Sequence, residues 1–184
     1  MQLTFGDRIP GLTVGTQELH AAVFNENEVR AAAGITLAIG ATAISFALFE
    51  HQYVPLQVVT TFFFFEFLIR LMFGIRHSPI GVVARWMTRT QPPEWVSAKP
   101  KRFAWKLGLA MAFSMMVITN SGMRGLLPGT LCVICMVLMW MESVLGVCLG
   151  CRLHGLLVRR GVTTKDPAFE VCAHGACELP ARTP

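Results

Sequence analysis

From Ala31 to Phe49 nineteen consecutive residues carry no charge. At a rise of about 1.5 Å each, such a run just crosses roughly 30 Å of hydrocarbon. Three further apolar runs follow, Tyr53 to Ile75, Phe103 to Thr119 and Leu126 to about Val158. A hydrophobic content of 53%, a charged fraction of 15% and a mean hydropathy of +0.53 also lie outside the soluble range. The expected fold is all-α, a polytopic membrane protein with four transmembrane helices. Residues 1–30 carry Asp7, Arg8, Glu18, Glu26, Glu28 and Arg30, which no secretory signal resembles, so the first span is expected to direct insertion itself.

Around the spans the chain divides into an arm over 1–24, a membrane domain over 25–160 and a polar tail over 161–184. Asn25 with Glu28 three residues on has the pattern of a helix start. Ile80 to Met87, with Arg85 and Trp86, is too short to span and suits an amphipathic helix lying in the interface between spans two and three. The final run is 33 residues long, more than a membrane requires, so its end is expected to project or to bend near Gly146 and Gly150.

Charge sets the orientation. Of the 16 Lys and Arg residues only Arg124 falls in the two turns opposite the termini, whereas Arg76, Arg85, Arg89, Lys99, Lys101 and Arg102 crowd the central loop. The positive-inside rule then puts both termini and that loop in the cytoplasm. The net charge of +5 is spread over loop ends rather than along one face, which argues against nucleic acid as a partner. The lipid bilayer is the expected partner, and nothing in the sequence fixes an oligomeric state.

Charges inside the apolar runs must find partners. Glu66 and Arg70, four apart on one helix face, are placed to pair. Glu142 has no cation at i+3 or i+4, and a cluster of Glu66, Arg70 and Glu142 between helices is the expected solution.

Chemistry concentrates in the cysteines, three pairs of them beyond residue 131: Cys132/Cys135, Cys148/Cys151 and Cys172/Cys177. On a continuous helix, Cys135 and Cys148 would stand about 20 Å apart, which excludes one shared zinc ion. Cys148/Cys151, with Arg152 and His154 beside it, suits thiol redox or sulfur transfer, because residues three apart share a helix face and a nearby cation favours the reactive thiolate. Placement at a helix C-terminus would oppose it. Cys172 and Cys177 could relay the disulfide or persulfide to a soluble thiol or sulfur-carrier protein. Two other accounts stand beside this one. Cys132 and Cys135, among seven methionines between Met111 and Met141, are soft donors that suit Cu(I); or the thiols only pack, in a non-catalytic accessory subunit. No phosphate-binding glycine loop, H-E-x-x-H element, serine triad context or haem-type histidine pair occurs.

The segments Asn25–Gly34, Phe67–Gly74 with Ser78-Pro79 after it, Lys101–Ala104 and Cys148-Leu149-Gly150-Cys151 together resemble a bacterial family of small membrane proteins labelled domain of unknown function 4395. The resemblance extends over about residues 18 to 160. It implies a four-helix domain in the bacterial cytoplasmic (inner) membrane, a C-x-G-C element and no assigned activity. Cys132/Cys135 and the tail cysteines fall outside its pattern.

Overall fold

A computed structural model describes Gly6, Thr13–Val14, Gln17–Glu18 and residues 22–162. Most of the expected arm and the tail with Cys172 and Cys177 lie outside the described residues. Among the described residues six α-helices follow in order: α1 Glu26–Phe49, α2 Val54–Phe73, α3 Pro79–Thr88, α4 Ala98–Asn120, α5 Leu126–Ser143 and α6 Leu149–Arg159. Four of them, α1, α2, α4 and α5, are long and apolar enough to cross a membrane, as the four runs required. The chain is an all-α, multi-pass membrane protein.

Two short antiparallel strand pairs were not foreseen. Thr13–Val14 (β1) pairs with Gln17–Glu18 (β2), and Val23–Asn25 (β3) pairs with Trp95–Ser97 (β4). The second pair sets the N-terminus of α1 beside that of α4. There the Asn25 side chain caps α1, its oxygen accepting from the backbone N–H of Asn27 and of Glu94, each at 3.2 Å. Its amide reaches Glu28 Oε1 at 3.5 Å, so the Asn25/Glu28 pattern marks the helix start as expected. Phe24 and Trp105 rings, 4.9 Å apart, seal the same corner.

At the opposite end α2 and α4 are joined by Thr60 and Thr119, whose hydroxyls lie 2.8 Å apart, and by Gln57 Nε2 donating to the Thr119 carbonyl at 3.0 Å. Further along, a Cβ on Gly108 would stand 2.7 Å from the Phe67 ring, so glycine is what lets these two helices approach.

Glu66 and Arg70 form the expected ion pair on α2. Arg70 Nε donates to Glu66 Oε1 at 2.8 Å, with the two side chains 3% and 0% exposed. Glu66 Oε2 also accepts from the backbone N–H of Ile80, at the N-terminus of α3. The carboxylate thus satisfies a cation and a helix start together. Helix α3 buries Ile80, Gly81, Ala84 and Thr88 and exposes Val82, Val83, Trp86 and Met87.

The long last run is two helices. Helix α5 stops at Ser143, the chain turns through Gly146 at φ +64°, and α6 starts at Leu149. Arg30 of α1 holds the break by donating from Nε to the Ser143 carbonyl (3.3 Å) and from Nη2 to the Val144 carbonyl (3.2 Å), carbonyls that the end of α5 leaves unpaired. Replacing Glu66 by Leu strands Arg70 as a buried, unpaired cation and is expected to cost about 3–5 kcal/mol. Thermal unfolding in detergent measures the loss, and replacing Arg70 by Leu as well is expected to restore much of it.

A candidate thiol site at the polar end of the bundle

The break places Cys148 at the N-cap of α6, where its sulfur accepts from the Cys151 backbone N–H at 3.3 Å and from the Cys151 thiol at 2.8 Å. This corrects the expectation of a pair at a helix C-terminus: the positive end of the α6 dipole faces the Cys148 sulfur and favours negative charge there. Both thiols are free and partly buried. The sulfurs already lie close to the about 2.05 Å of a disulfide and need only lose their protons and two electrons to form one.

Gly150 sets where the pair sits. A Cβ at this position would come within 2.5 Å of Ala104 Cβ and 2.7 Å of its Cα. Glycine is therefore what lets the first turn of α6 lie directly on α4, which brings the thiol pair to Lys101.

Lys101, which the charge pattern of the sequence puts in the central loop, belongs to a helix instead. It sits in the first turn of α4, 4% exposed, with Nζ 2.9 Å from Glu26 Oε1, 2.8 Å from Glu26 Oε2 and 2.5 Å from Glu142 Oε1. The expected cluster of Glu66, Arg70 and Glu142 is accordingly divided: Glu142 takes its cation from α4, and Arg70 remains with Glu66. One ammonium thereby ties the starts of α1 and α4 to the end of α5.

Lys101 also acts on the sulfurs. Contact with Cys151 and burial push the Cys148 thiol well above the ordinary cysteine range, and Lys101 pulls it the other way. Two thiolates 2.8 Å apart would repel strongly, which opposes a second negative charge at the site. Among the other residues expected at the site, Arg152 is exposed on the first turn of α6. His154 is buried, its ring 5.5 Å from that of Phe103 on α4.

Cys132 and Cys135 stay on α5, the first buried and the second half-buried. They do not join Cys148 and Cys151 in one cluster; among the described residues no group of three or more His, Cys, Asp or Glu side chains converges as a metal site. They do face the same cavity, about 570 Å³ between α1, α2, α4 and α5, which is lined mainly by apolar side chains and ends at Lys101, Glu142 and Cys148.

These features define a multi-pass helical membrane protein with a thiol pair and a buried lysine–carboxylate cluster at one end. Residues 24–159, most of the chain, match the family model described as Domain of unknown function (DUF4395), and the chain belongs to that family. No curated protein and no solved structure matches it.

Because a raised thiol carries less thiolate at a given pH, alkylation of Cys148 by iodoacetamide is expected to keep accelerating above about pH 8.5, where a free cysteine begins to level off. Removing the Lys101 charge together with one carboxylate, as Lys101→Met with Glu142→Gln, is expected to slow labelling further. Mass spectrometry of the labelled peptide measures both.

Proposed function

We propose that the protein is a membrane thiol-redox protein in which Cys148 and Cys151 exchange between dithiol and disulfide. The observation that carries this reading is the N-cap geometry: the Cys148 sulfur accepts hydrogen bonds from both the N–H and the thiol of Cys151, at the positive end of a helix and beside Lys101. We take Cys148 as the nucleophile, because the helix N-terminus and Lys101 stabilise its thiolate once a partner draws off the proton that burial and Cys151 hold on it, and Cys151 as the resolving thiol. The Cys148 thiolate attacks a partner disulfide, forming a mixed disulfide and releasing one partner thiolate. Cys151 then attacks the Cys148 sulfur, releases the second thiolate and closes the Cys148–Cys151 disulfide. The same steps run in reverse when the partner arrives reduced.

The site lies at the end of the bundle that carries Arg76, Arg85, Arg89, Lys99 and Arg102, against Arg124 at the other end. The positive-inside rule makes that end cytoplasmic, in the inner membrane, with both termini on that side. Helix α3, with Val82, Val83, Trp86 and Met87 exposed, lies in the interface on the same side. A cytoplasmic pair is kept reduced by default, so its disulfide is transient and its partner is a soluble thiol or sulfur-carrier protein. Cys172 and Cys177, which come after α6 in the sequence, relay the exchange.

One observation favours a second reading, Cu(I) handling: Cys132, Cys135, Met111, Met115, Met136 and Met139 line one cavity, and thiolate with thioether is the donor set that Cu(I) prefers.

Treating the purified protein with glutathione disulfide separates the accounts. Cys151→Ser is expected to accumulate a stable glutathione adduct on Cys148, whereas the wild type passes on to the Cys148–Cys151 disulfide and Cys148→Ser forms neither. Thiols that stay unmodified at both positions would leave the packing role of an accessory subunit.

A further inference from the structure

A dithiol that becomes a disulfide must give up two electrons, and the cavity reaching Cys148 has the chemistry of a site for their acceptor. Its walls are almost wholly apolar, Val29, Ile44, Leu56, Phe63, Trp105 and Leu138 among them, and it extends from the polar end of the bundle toward the buried Thr60. Water-soluble oxidants have no affinity for such a lining, whereas a flat ring with an alkyl tail does. At its polar end stand the groups that a carbonyl-bearing ring would need. Lys101 and Cys148 line it there, and so does Arg70. Arg70 is buried, and its Nη2, although 2.8 Å from Glu66 Oε1, has no aligned hydrogen-bond partner. A buried donor left in that state is stabilised by an acceptor oxygen placed in the cavity.

We propose that this cavity binds an isoprenoid quinone, which oxidises the Cys148/Cys151 dithiol. The inference deepens the exchange reading above and rests on it. In the step, the two S–H bonds break and one S–S bond forms. Two electrons and two protons pass to the quinone, whose two carbonyl oxygens become the hydroxyls of the quinol. The soluble thiol or sulfur carrier then re-reduces the pair by exchange. Arg70 orients one carbonyl, Lys101 stabilises the negative charge that develops as electrons arrive, and Cys148, at the cavity mouth, is the sulfur nearest the ring. The remaining length of the cavity takes the tail.

The test uses the whole protein in detergent, reduced and freed of reductant under anaerobic conditions, with decylubiquinone as the probe. Binding is read as quenching of Trp105 fluorescence against a Trp105→Phe control, and chemistry as thiols lost against quinol formed. The expected result is saturable quenching and two thiols consumed per quinol. Cys148→Ser is expected to keep the quenching and lose the chemistry. Met111→Trp, which fills the cavity, is expected to slow quinol formation about tenfold or more while glutathione exchange at Cys148 is unchanged. Should glutathione disulfide oxidise the pair while decylubiquinone neither quenches Trp105 nor consumes thiols, the quinone site is overturned and the exchange reading stands. Quenching without thiol loss in a protein that also fails to react with glutathione disulfide overturns both. Tightly retained phospholipid that decylubiquinone cannot displace assigns the cavity to lipid and likewise overturns the proposal.

Discussion

One ammonium shared by two carboxylates governs the polar end of this bundle. Lys101 lies within 2.9 Å of Glu26 and 2.5 Å of Glu142, and these two residues, on two other helices, are 75 and 41 positions from it. Any one of them alone would be a buried charge costing several kcal/mol, so each requires the others to be in place. The arrangement fixes where α1 and α4 begin relative to where α5 ends. Strand β3 with β4, the Asn25 cap and the Phe24–Trp105 contact brace the same corner with groups that carry no net charge.

The thiol pair inherits its position from this knot. With α5 held at Ser143 by Glu142 and by the Arg30 guanidinium on its last carbonyls, the chain must turn, and Gly146 supplies the left-handed residue that the turn needs. Gly150 then lets α6 settle on Ala104, one turn from Lys101. Cys148 thus meets a helix N-terminus and a cation together, and both favour negative charge on sulfur. Burial and the second thiol oppose them and prevail, so the Cys148 thiol holds its proton above the ordinary cysteine range. The apolar cavity between the spanning helices reaches the same sulfur.

Much of this was legible in the sequence, and the failures have physical causes. The four spans follow from uninterrupted apolar length, and the Glu66–Arg70 pair from i,i+4 spacing, because both are local properties of one helix. The N-cap at Asn25 is local as well. Glu142 is recognisable as lacking a partner, but choosing between Arg70 and Lys101 requires the tertiary arrangement, and the charge pattern puts Lys101 in the loop because α4 starts five residues before its apolar run. The strand pair β3–β4 was invisible for a similar reason, since three-residue strands show no period. The break before Cys148 did leave a signal, a 33-residue run with Gly146 inside it. Taking that excess length as a second helix would have turned the cysteine pair from the unfavourable end of one helix to the favourable end of the next.

The central claim is that Cys148 and Cys151 cycle between dithiol and disulfide in the membrane where the protein works. Native membranes quenched in acid, alkylated, reduced and alkylated again with a heavier reagent report that state directly by mass spectrometry. A fraction of Cys148 and Cys151 is expected to carry the second label together, rising when the cells are exposed to a thiol oxidant and falling on recovery. Both cysteines carrying only the first label under every condition would contradict the claim.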